Sequence, residues 1–313
     1  MARSIRIATR RSRLALWQAE HVGDLLRQAH PGLDVELVAM STQGDRVRDR
    51  PLAEVGGKGL FVKELERAIT DGRADIAVHS MKDVPSELPA GMRIAAVLAR
   101  ANPHDAFLSL KHRRLAELPA GAKLGTSSPR RQSQLRQARP DLVLVPVRGN
   151  VDTRLKRLDG GELDAIVLAC AGLERLGFER HIHEVLDVES FVPAVGQGVI
   201  GIECDARDAT SHAAVAALNH EPTALRLAAE RAYALRLQGS CHSPIAAHAT
   251  LEGSVLLLRG FIGSPDGREV YRDRITGPAA RADALGVELA NRMLDAGAAA
   301  LLARLRLPLA VAP

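Results

Sequence analysis

The stretch Asp71-Gly-Arg-Ala-Asp-Ile-Ala-Val-His79 has a near copy further along the chain, Gly160-Gly-Glu-Leu-Asp-Ala-Ile-Val-Leu168. Upstream of each lies a second similar pair, His30-Pro-Gly-Leu-Asp-Val-Glu-Leu-Val38 and Arg139-Pro-Asp-Leu-Val-Leu-Val-Pro-Val147. A short strand that ends in small polar residues opens each copy, so each predicts strand, helix, strand, helix, strand. This alternation indicates two α/β domains with parallel sheets, facing each other across a cleft. Chance likeness between two α/β units is the alternative.

The rest of the chain predicts a small third domain of mixed α+β type. Pro222 to Leu237 carries apolar residues at helical spacing, and a long helix is expected from about Pro278. Alternating segments between them predict three strands, at 245–251, 254–262 and 268–276. Val192–Gly198 is expected to be a hinge loop that leads back to the first half. The expected boundaries are 1–99 with 198–217 for the first domain, 100–197 for the second and 218–313 for the third.

The composition is that of an ordinary globular protein, with 313 residues of which 46% are hydrophobic and 25% charged. The net charge is +5, and 36 of the 42 basic residues are arginine. The flat guanidinium group binds carboxylates and phosphates through pairs of hydrogen bonds. The excess of arginine over lysine therefore has two alternative explanations, an anionic partner or a compositional bias. Five Phe, two Tyr and one Trp leave few platforms for stacking bases, and no nucleic-acid partner is expected.

Neither a membrane segment nor a metal site is expected. No apolar stretch approaches the roughly 20 residues that span a bilayer, and the N-terminus lacks the apolar run of a signal peptide. We therefore expect a cytoplasmic protein and, since nothing points to an obligate interface, a monomer. Cys170 and Cys204 lie in apolar runs and are expected to be packing thiols, whereas Cys241, in a loop with Gly, Ser and Pro, is expected to be accessible and reactive. The cysteines follow no zinc spacing.

Basic and capping residues follow several predicted strands, at the edge where ligands bind in parallel α/β sheets. Ser12 and Ser128 can each cap a helix, and Pro129 suits the first turn of the second of these helices. A helix N-terminus with adjacent arginines is a seat for an anion. Any one of these is more often a solvated helix end, but several converge on one cleft. The residues expected to form the seats are Arg10, Ser12, Lys58, Ser128, Arg130, Arg131, Arg148 and Arg154.

A carboxylate lies among these cations. Asp83, in His79-Ser-Met-Lys-Asp-Val-Pro85, follows the predicted strand Ile76-Ala-Val78. A helix cap or turn residue is the structural alternative. In a cationic cleft, a lone carboxylate suits the stabilisation of transient positive charge on a substrate and local proton transfer.

These segments together resemble the porphobilinogen deaminase, or hydroxymethylbilane synthase, family. The motifs run in order over nearly the whole chain, and Val78-His-Ser-Met-Lys-Asp-Val-Pro85 is the most specific of them. The others are Arg6-Ile-Ala-Thr-Arg10, Val55-Gly-Gly-Lys-Gly-Leu-Phe-Val-Lys-Glu64, Gly125-Thr-Ser-Ser128, Arg148-Gly-Asn-Val151, Pro193-Ala-Val-Gly-Gln-Gly198, and Glu230-Arg231 followed by Gly239-Ser-Cys241.

The resemblance implies two domains like those of periplasmic binding proteins and a third that carries a cysteine, here Cys241, holding a dipyrromethane cofactor through a thioether. Four molecules of porphobilinogen are added head to tail with loss of ammonia, and water releases the linear tetrapyrrole of haem biosynthesis. Asp83 is implied to be the catalytic acid and base, and Gln18 and Phe61 to lie beside the substrate. Acetate and propionate groups are implied to bind to Arg10, Ser12, Lys58, Lys82, Ser128, Arg130, Arg131, Arg148, Arg154 and Arg175.

Three positions depart from the family pattern. Glu54 stands where some relatives carry Lys, Pro129 where others have Leu, and Ser243 where the family usually has an apolar β-branched residue. Neither Asp83 nor Cys241 is affected. A non-catalytic solute-binding protein of the periplasmic type is the alternative function, and the missing signal peptide counts against it. Weak binding of nucleic acid by the basic surface is a third possibility.

Overall fold

The computed structural model describes residues 4–46, 59, 61–239 and 243–306, which form three domains, each built on one sheet. Domain 1 contains five strands: β1 (Ser4–Arg10), β2 (Asp34–Met40), β3 (Ile76–Ser80), β4 (Met92–Val97) and β10 (Ile200–Asp205). Its helices are α1 (Arg13–Ala29), α2 (Gln43–Arg46), α3 (Lys63–Thr70) and α7 (Ala209–Ala216). The spatial order of the strands is β2-β1-β3-β10-β4.

Domain 2 repeats this plan. Its strands are β5 (Asp105–Ser109), β6 (Lys123–Gly125), β7 (Val143–Val145), β8 (Ala165–Ala169) and β9 (Glu184–Leu186), in the order β7-β6-β8-β5-β9. Its helices are α4 (Pro129–Ala138), α5 (Val151–Asp159) and α6 (Cys170–Arg175). The prediction of two α/β domains is confirmed.

The prediction of parallel sheets is correct for four of the five strands in each sheet and wrong for one. In each sheet the fourth strand runs against its neighbours, because β10 is antiparallel to β3 and β5 is antiparallel to β8. Ile200 pairs with Ser80, the last residue of β3, and Asp105 pairs with Ala169, the last residue of β8. Each of these strands therefore starts at the edge of the sheet where the parallel strands end, because the chain arrives there from the other domain. From this edge the strand runs antiparallel to its neighbours.

Domain 3 contains the antiparallel strands β11 (Ile245–Glu252), β12 (Val255–Gly263) and β13 (Val270–Pro278). Its helices are α8 (Glu221–Arg236), α9 (Ala282–Met293) and α10 (Ala299–Arg306). The core includes Tyr233, Leu258 and Leu289, all fully buried. The three observed strands start within two residues of the predicted ones, and the small α+β domain is confirmed. No helix in the described part of the chain is both long and apolar enough to cross a membrane.

The two segments that join domains 1 and 2 lie side by side. The Ala101 amide donates a hydrogen bond to the Gly198 carbonyl over 3.2 Å. Gly198 has a φ of +85°, and a Cβ there would lie 2.6 Å from the Ala101 carbonyl oxygen, so only glycine suits this position. Arg100 and Glu230 fasten this junction to α8 through bonds of 2.6 and 2.7 Å between buried side chains. That the 192–198 segment acts as a hinge stays a prediction.

Candidate active site

The carboxyl end of β3 carries the catalytic candidates. The chain leaves β3 at Ser80 and enters a single turn of 3-10 helix, Met81–Asp83, which leaves Lys82 half-buried and Asp83 exposed. Gln18, only 2% exposed on α1, donates from Nε2 to the Ser80 Oγ over 2.9 Å and braces the start of this turn. Burial lowers the pKa of Lys82 to about 8; the negative charge of Asp83 opposes this shift, and the charge of Arg131 adds to it.

In domain 1 the predicted helix cap at Ser12 is present, and the neighbouring Arg10 already has a partner. Ser12 caps α1, since its Oγ accepts from the Ala15 amide over 3.3 Å. Arg10 pairs with Asp45 through two of its nitrogens, and its guanidinium lies 4.3 Å from the centre of the Phe61 ring. A ligand carboxylate at Arg10 would therefore have to share this cation with Asp45.

Domain 2 presents two arginines with unused donors. Asn150 caps α5 by accepting from the Thr153 amide over 2.9 Å, which fixes the backbone between Arg148 and Arg154. Arg148 is half-buried and makes no side-chain hydrogen bond or ion pair with any described residue. Arg154 donates from Nε to the Gly149 carbonyl over 2.9 Å, which leaves its terminal amino groups without a partner in the described chain. Burial lowers the pKa of Arg154 to about 10, and the charge of Asp83 acts in the opposite direction.

Arg130 and Arg131 are placed differently from the other predicted seats. Ser128 caps α4 as predicted, accepting from the Arg131 amide over 3.4 Å. The two guanidiniums, however, are buried against Asp105, with the shortest contacts at 2.7 Å for Arg130 and 2.6 Å for Arg131. Burial by itself would raise the pKa of Asp105, but the two guanidiniums outweigh it and hold that pKa well below its ordinary range.

Sequence reasoning missed Asp105. Its one signal is a carboxylate that opens an otherwise apolar strand, Asp105-Ala-Phe-Leu. Gln197, in the junction between the domains, also donates to Asp105 from Nε2 over 3.2 Å. Asp105 therefore ties α4 to the loop that joins the two domains.

The remaining predicted residues divide into three groups. Arg175 is half-buried, and its Nη2 donates to the Gly198 carbonyl over 2.8 Å. Cys170 and Cys204 are fully buried, and burial raises the pKa of both thiols, to about 12 for Cys170. They fit the prediction of packing cysteines. The positions that lie outside the described residues are Glu54, Lys58 and Cys241.

A buried titratable cluster lies within domain 1. His79 Nε2 and Glu203 Oε2 are 2.8 Å apart, and both side chains are almost wholly inaccessible. The other oxygen of Glu203, Oε1, has no hydrogen-bond partner in the described part of the molecule. Glu66, 8% exposed, lies close enough to feel both groups. Burial raises the pKa of Glu66 to about 7, and the negative charge of Glu203 adds to the shift.

Glu66→Gln is expected to stabilise the protein in a pH-dependent way. Because the pKa of Glu66 is higher in the folded state than its ordinary value of about 4.5, the free energy of unfolding falls as the pH rises from about 4 to 7. The amide carries no charge at any pH, so the variant should exceed the wild type by on the order of 1–3 kcal/mol above pH 7 and match it below pH 4. Urea unfolding across this range measures the difference.

The matched control for that prediction is Glu252→Gln, which removes an exposed carboxylate at the end of β11. It should leave the pH profile unchanged. A constant offset between the Glu66 variant and the wild type at every pH would show that packing, and not titration, causes the effect.

The residues of the site together indicate the class of ligand that the protein can bind. The carboxyl ends of the sheets in the two α/β domains bring the Lys82 ammonium and two guanidiniums with no carboxylate partner among the described residues, those of Arg148 and Arg154, near the exposed Asp83 carboxylate. Such a cleft suits a ligand that carries several carboxylates and gains positive charge during its reaction. No three His, Cys, Asp or Glu side chains of the described residues are grouped so that they could hold a metal ion.

Comparison with known proteins gives the family. The model for the porphobilinogen deaminase dipyrromethane cofactor binding domain matches residues 5–213, and that for the porphobilinogen deaminase C-terminal domain matches residues 224–295. The chain belongs to the porphobilinogen deaminase family. It is therefore an enzyme, a transferase of tetrapyrrole synthesis that acts on porphobilinogen and uses a dipyrromethane cofactor.

Solved structures of solute-binding proteins are also similar to it. An ABC transporter periplasmic substrate-binding protein from Coxiella burnetii is 14% identical with a TM-score of 0.45, over 72% of this chain and 96% of that one. A TRAP periplasmic solute binding protein from Desulfovibrio salexigens is 14% identical with a TM-score of 0.43, over 71% and 74% of the two chains.

The residues that are described fit a dipyrromethane. Arg148 and Arg154 have N–H groups without a partner among the described residues that could bind its carboxylate side chains, and Lys82 would be a third cation. Asp83 is exposed at the same edge and can accept from pyrrole N–H groups, which the basic residues cannot do. The site thus provides donors for the arms of the group and an acceptor for its rings.

Proposed function

We propose that this protein is a hydroxymethylbilane synthase that joins four porphobilinogen molecules head to tail on a covalent primer and then releases the linear tetrapyrrole by hydrolysis. The observation that carries the proposal is the position of Asp83, an exposed carboxylate whose charge acts on Lys82 and Arg154. Bound dipyrromethane would supply the pyrrole ring to which the first substrate molecule is joined.

The basic residues are proposed to bind and orient. Each porphobilinogen brings an acetate and a propionate, so every addition increases the negative charge in the cleft. Arg148 and Arg154 bind these groups directly, because the Arg148 guanidinium and the terminal amino groups of Arg154 have no partner among the described residues. Arg130 and Arg131 contribute mainly their charge, because Asp105 and the carbonyls of Val192 and Val167 already accept from their guanidiniums. Holding the reacting ends together makes each addition a local event.

Asp83 is proposed to stabilise the positive charge that forms during each addition and to accept the proton that is released. In each addition a carbon–carbon bond forms at the aminomethyl carbon of porphobilinogen, the carbon–nitrogen bond breaks and ammonia leaves. The departure of ammonia leaves a cation at the aminomethyl carbon, which the Asp83 carboxylate stabilises. The ring carbon that bonds to it then loses its hydrogen as a proton, which Asp83 takes up. Its exposed position at the end of β3 lets it serve successive rings.

Cys241 is proposed to hold the cofactor, and mass spectrometry of the intact protein tests this. We expect the purified chain to carry the mass of two linked pyrrole units, and Cys241→Ser to carry none and to release no ammonia from porphobilinogen. Cys204→Ala is the matched control, because that thiol is fully buried and has no part in attachment. An unmodified chain that makes the tetrapyrrole would overturn the attachment.

Three further expectations remain proposals. The protein is proposed to be a monomer in the cytoplasm, which light scattering on the purified protein and fractionation of cells can test. The domain boundaries are proposed to be 1–99 with 198–217, 100–197 and 218–313. Limited proteolysis should then cut between these units.

A further inference from the structure

A groove of about 370 Å³ lies between α1 of domain 1 and the end of α6 of domain 2. Arg11, Arg13 and Trp17 line it from one side and Arg175 from the other. Of these residues only Arg175 belongs to the predicted carboxylate-binding set, so the proposed reaction leaves the other three without a role.

The charge of the groove favours an anion. Arg11 is exposed, and its side chain makes no hydrogen bond or ion pair with any residue in the described ranges. Arg13 reaches across to domain 2, where it donates to Asp152 over 3.1 Å, but its side chain is 58% exposed and such a contact is weak in water. Among the described residues that line the groove, Glu20 is the one acidic residue, against three arginines. An incoming carboxylate can therefore compete for Arg11 and Arg13.

Flat rings also collect here, in a chain with five Phe, two Tyr and one Trp. Trp17 is stacked on His21 with ring centres 5.1 Å apart, and the guanidinium of Arg175 lies 5.8 Å from the Trp17 ring. The guanidinium of Arg13 lies 5.4 Å from the ring of Phe178. Alternating guanidinium and aromatic faces suit a planar ring, and the arginines suit the carboxylates attached to it.

We propose that this groove is a second binding site for polycarboxylated pyrroles, next to the cleft, with Arg175 at their common border. Carboxylates would lie on Arg11 and Arg13, and a ring would lie against Trp17. The groove is shared between two domains, so its occupant contacts both. The choice of ligand rests on the proposed function, because the product is a linear tetrapyrrole with many carboxylates. The same chemistry belongs to a cyclic carboxylated tetrapyrrole, and the test separates these two sources.

Trp17 is the one tryptophan of the sequence, so it can report on the groove selectively. The cofactor-loaded protein is labelled with 5-fluorotryptophan and its fluorine NMR signal is followed during titration with uroporphyrin I, a cyclic octacarboxylate. A parallel titration uses the linear tetrapyrrole made in the same tube from porphobilinogen. We expect the signal to shift, and the double variant Arg11→Gln/Arg13→Gln to raise the dissociation constant at least about tenfold, the loss expected for two charge-assisted contacts.

Arg27→Gln is the matched control, since Arg27 is an exposed arginine further along the same helix. It should leave the titration unchanged. A shift with the linear compound alone assigns the groove to the product, and a shift with uroporphyrin I alone assigns it to a cyclic relative; both support the site. The proposal is overturned if the signal does not move, if Arg148→Gln abolishes the shift while the double variant keeps it, or if ATP binds equally well. Ammonia release, measured separately, reports on the proposed function.

Discussion

Asp83→Asn is expected to lower the rate of ammonia release from porphobilinogen by about 10²–10⁴-fold, the usual contribution of a general acid–base residue. The amide has nearly the shape of the carboxylate, but it can neither take up a proton nor balance a cation. Porphobilinogen should still bind, because the cations that hold its carboxylates remain and lose only a neighbouring negative charge. Single-turnover ammonia release, with separate measurement of substrate binding, tests both parts.

The matched control is Asp71→Asn, which neutralises an exposed aspartate just beyond the end of α3. It should leave both quantities unchanged. If the Asp83→Asn variant turned over at the normal rate, Asp83 would be only a turn residue, the alternative to a catalytic role that the sequence leaves open. If the wild type bound porphobilinogen but released no ammonia, the protein would be a solute receptor and the proposed reaction would be wrong.

Features that depend on neighbouring residues were predictable from the sequence. The helix caps at Ser12 and Ser128 follow from local hydrogen-bonding chemistry, and both occur in the structure. The repeated strand-and-helix pattern likewise predicted two similar domains, because hydrophobic periodicity is a property of short windows. The direction of β5 and β10 was not predictable in this way, since it depends on where the chain enters each sheet.

Ion pairs that join distant parts of the chain were not predictable. Arg10 and Asp45 are 35 residues apart, and Arg100 and Glu230 are 130 apart. The sequence showed that arginines gather at strand ends, but not which of them are already neutralised by a carboxylate. The structure therefore divides the predicted set: Arg148 and Arg154 have free donors among the described residues, whereas Arg10 is paired.

Asp105→Asn is expected to cost about 3–5 kcal/mol in the free energy of unfolding, the usual effect of removing one partner from a buried ion pair. Asp105 is fully buried, and both guanidiniums that it binds are almost wholly inaccessible. The amide would leave Arg130 and Arg131 facing each other in the interior with no negative charge between them. Urea unfolding at pH 7, read at the transition of domain 2, measures the loss.

The pH dependence of the wild type gives a second reading of the same interaction. The pKa of Asp105 is lowered in the folded state, so its contribution is complete above the ordinary value of about 4 and is lost as the pH falls below it. The gap between the wild type and Asp105→Asn should therefore narrow in acid. Asp141→Asn, which breaks the exposed pair with Arg139, is the control and should change little at any pH. If the two variants lost the same free energy of unfolding, the ion pairs of Asp105 would contribute no more than an exposed pair. Arg130 and Arg131 would then be available to bind substrate.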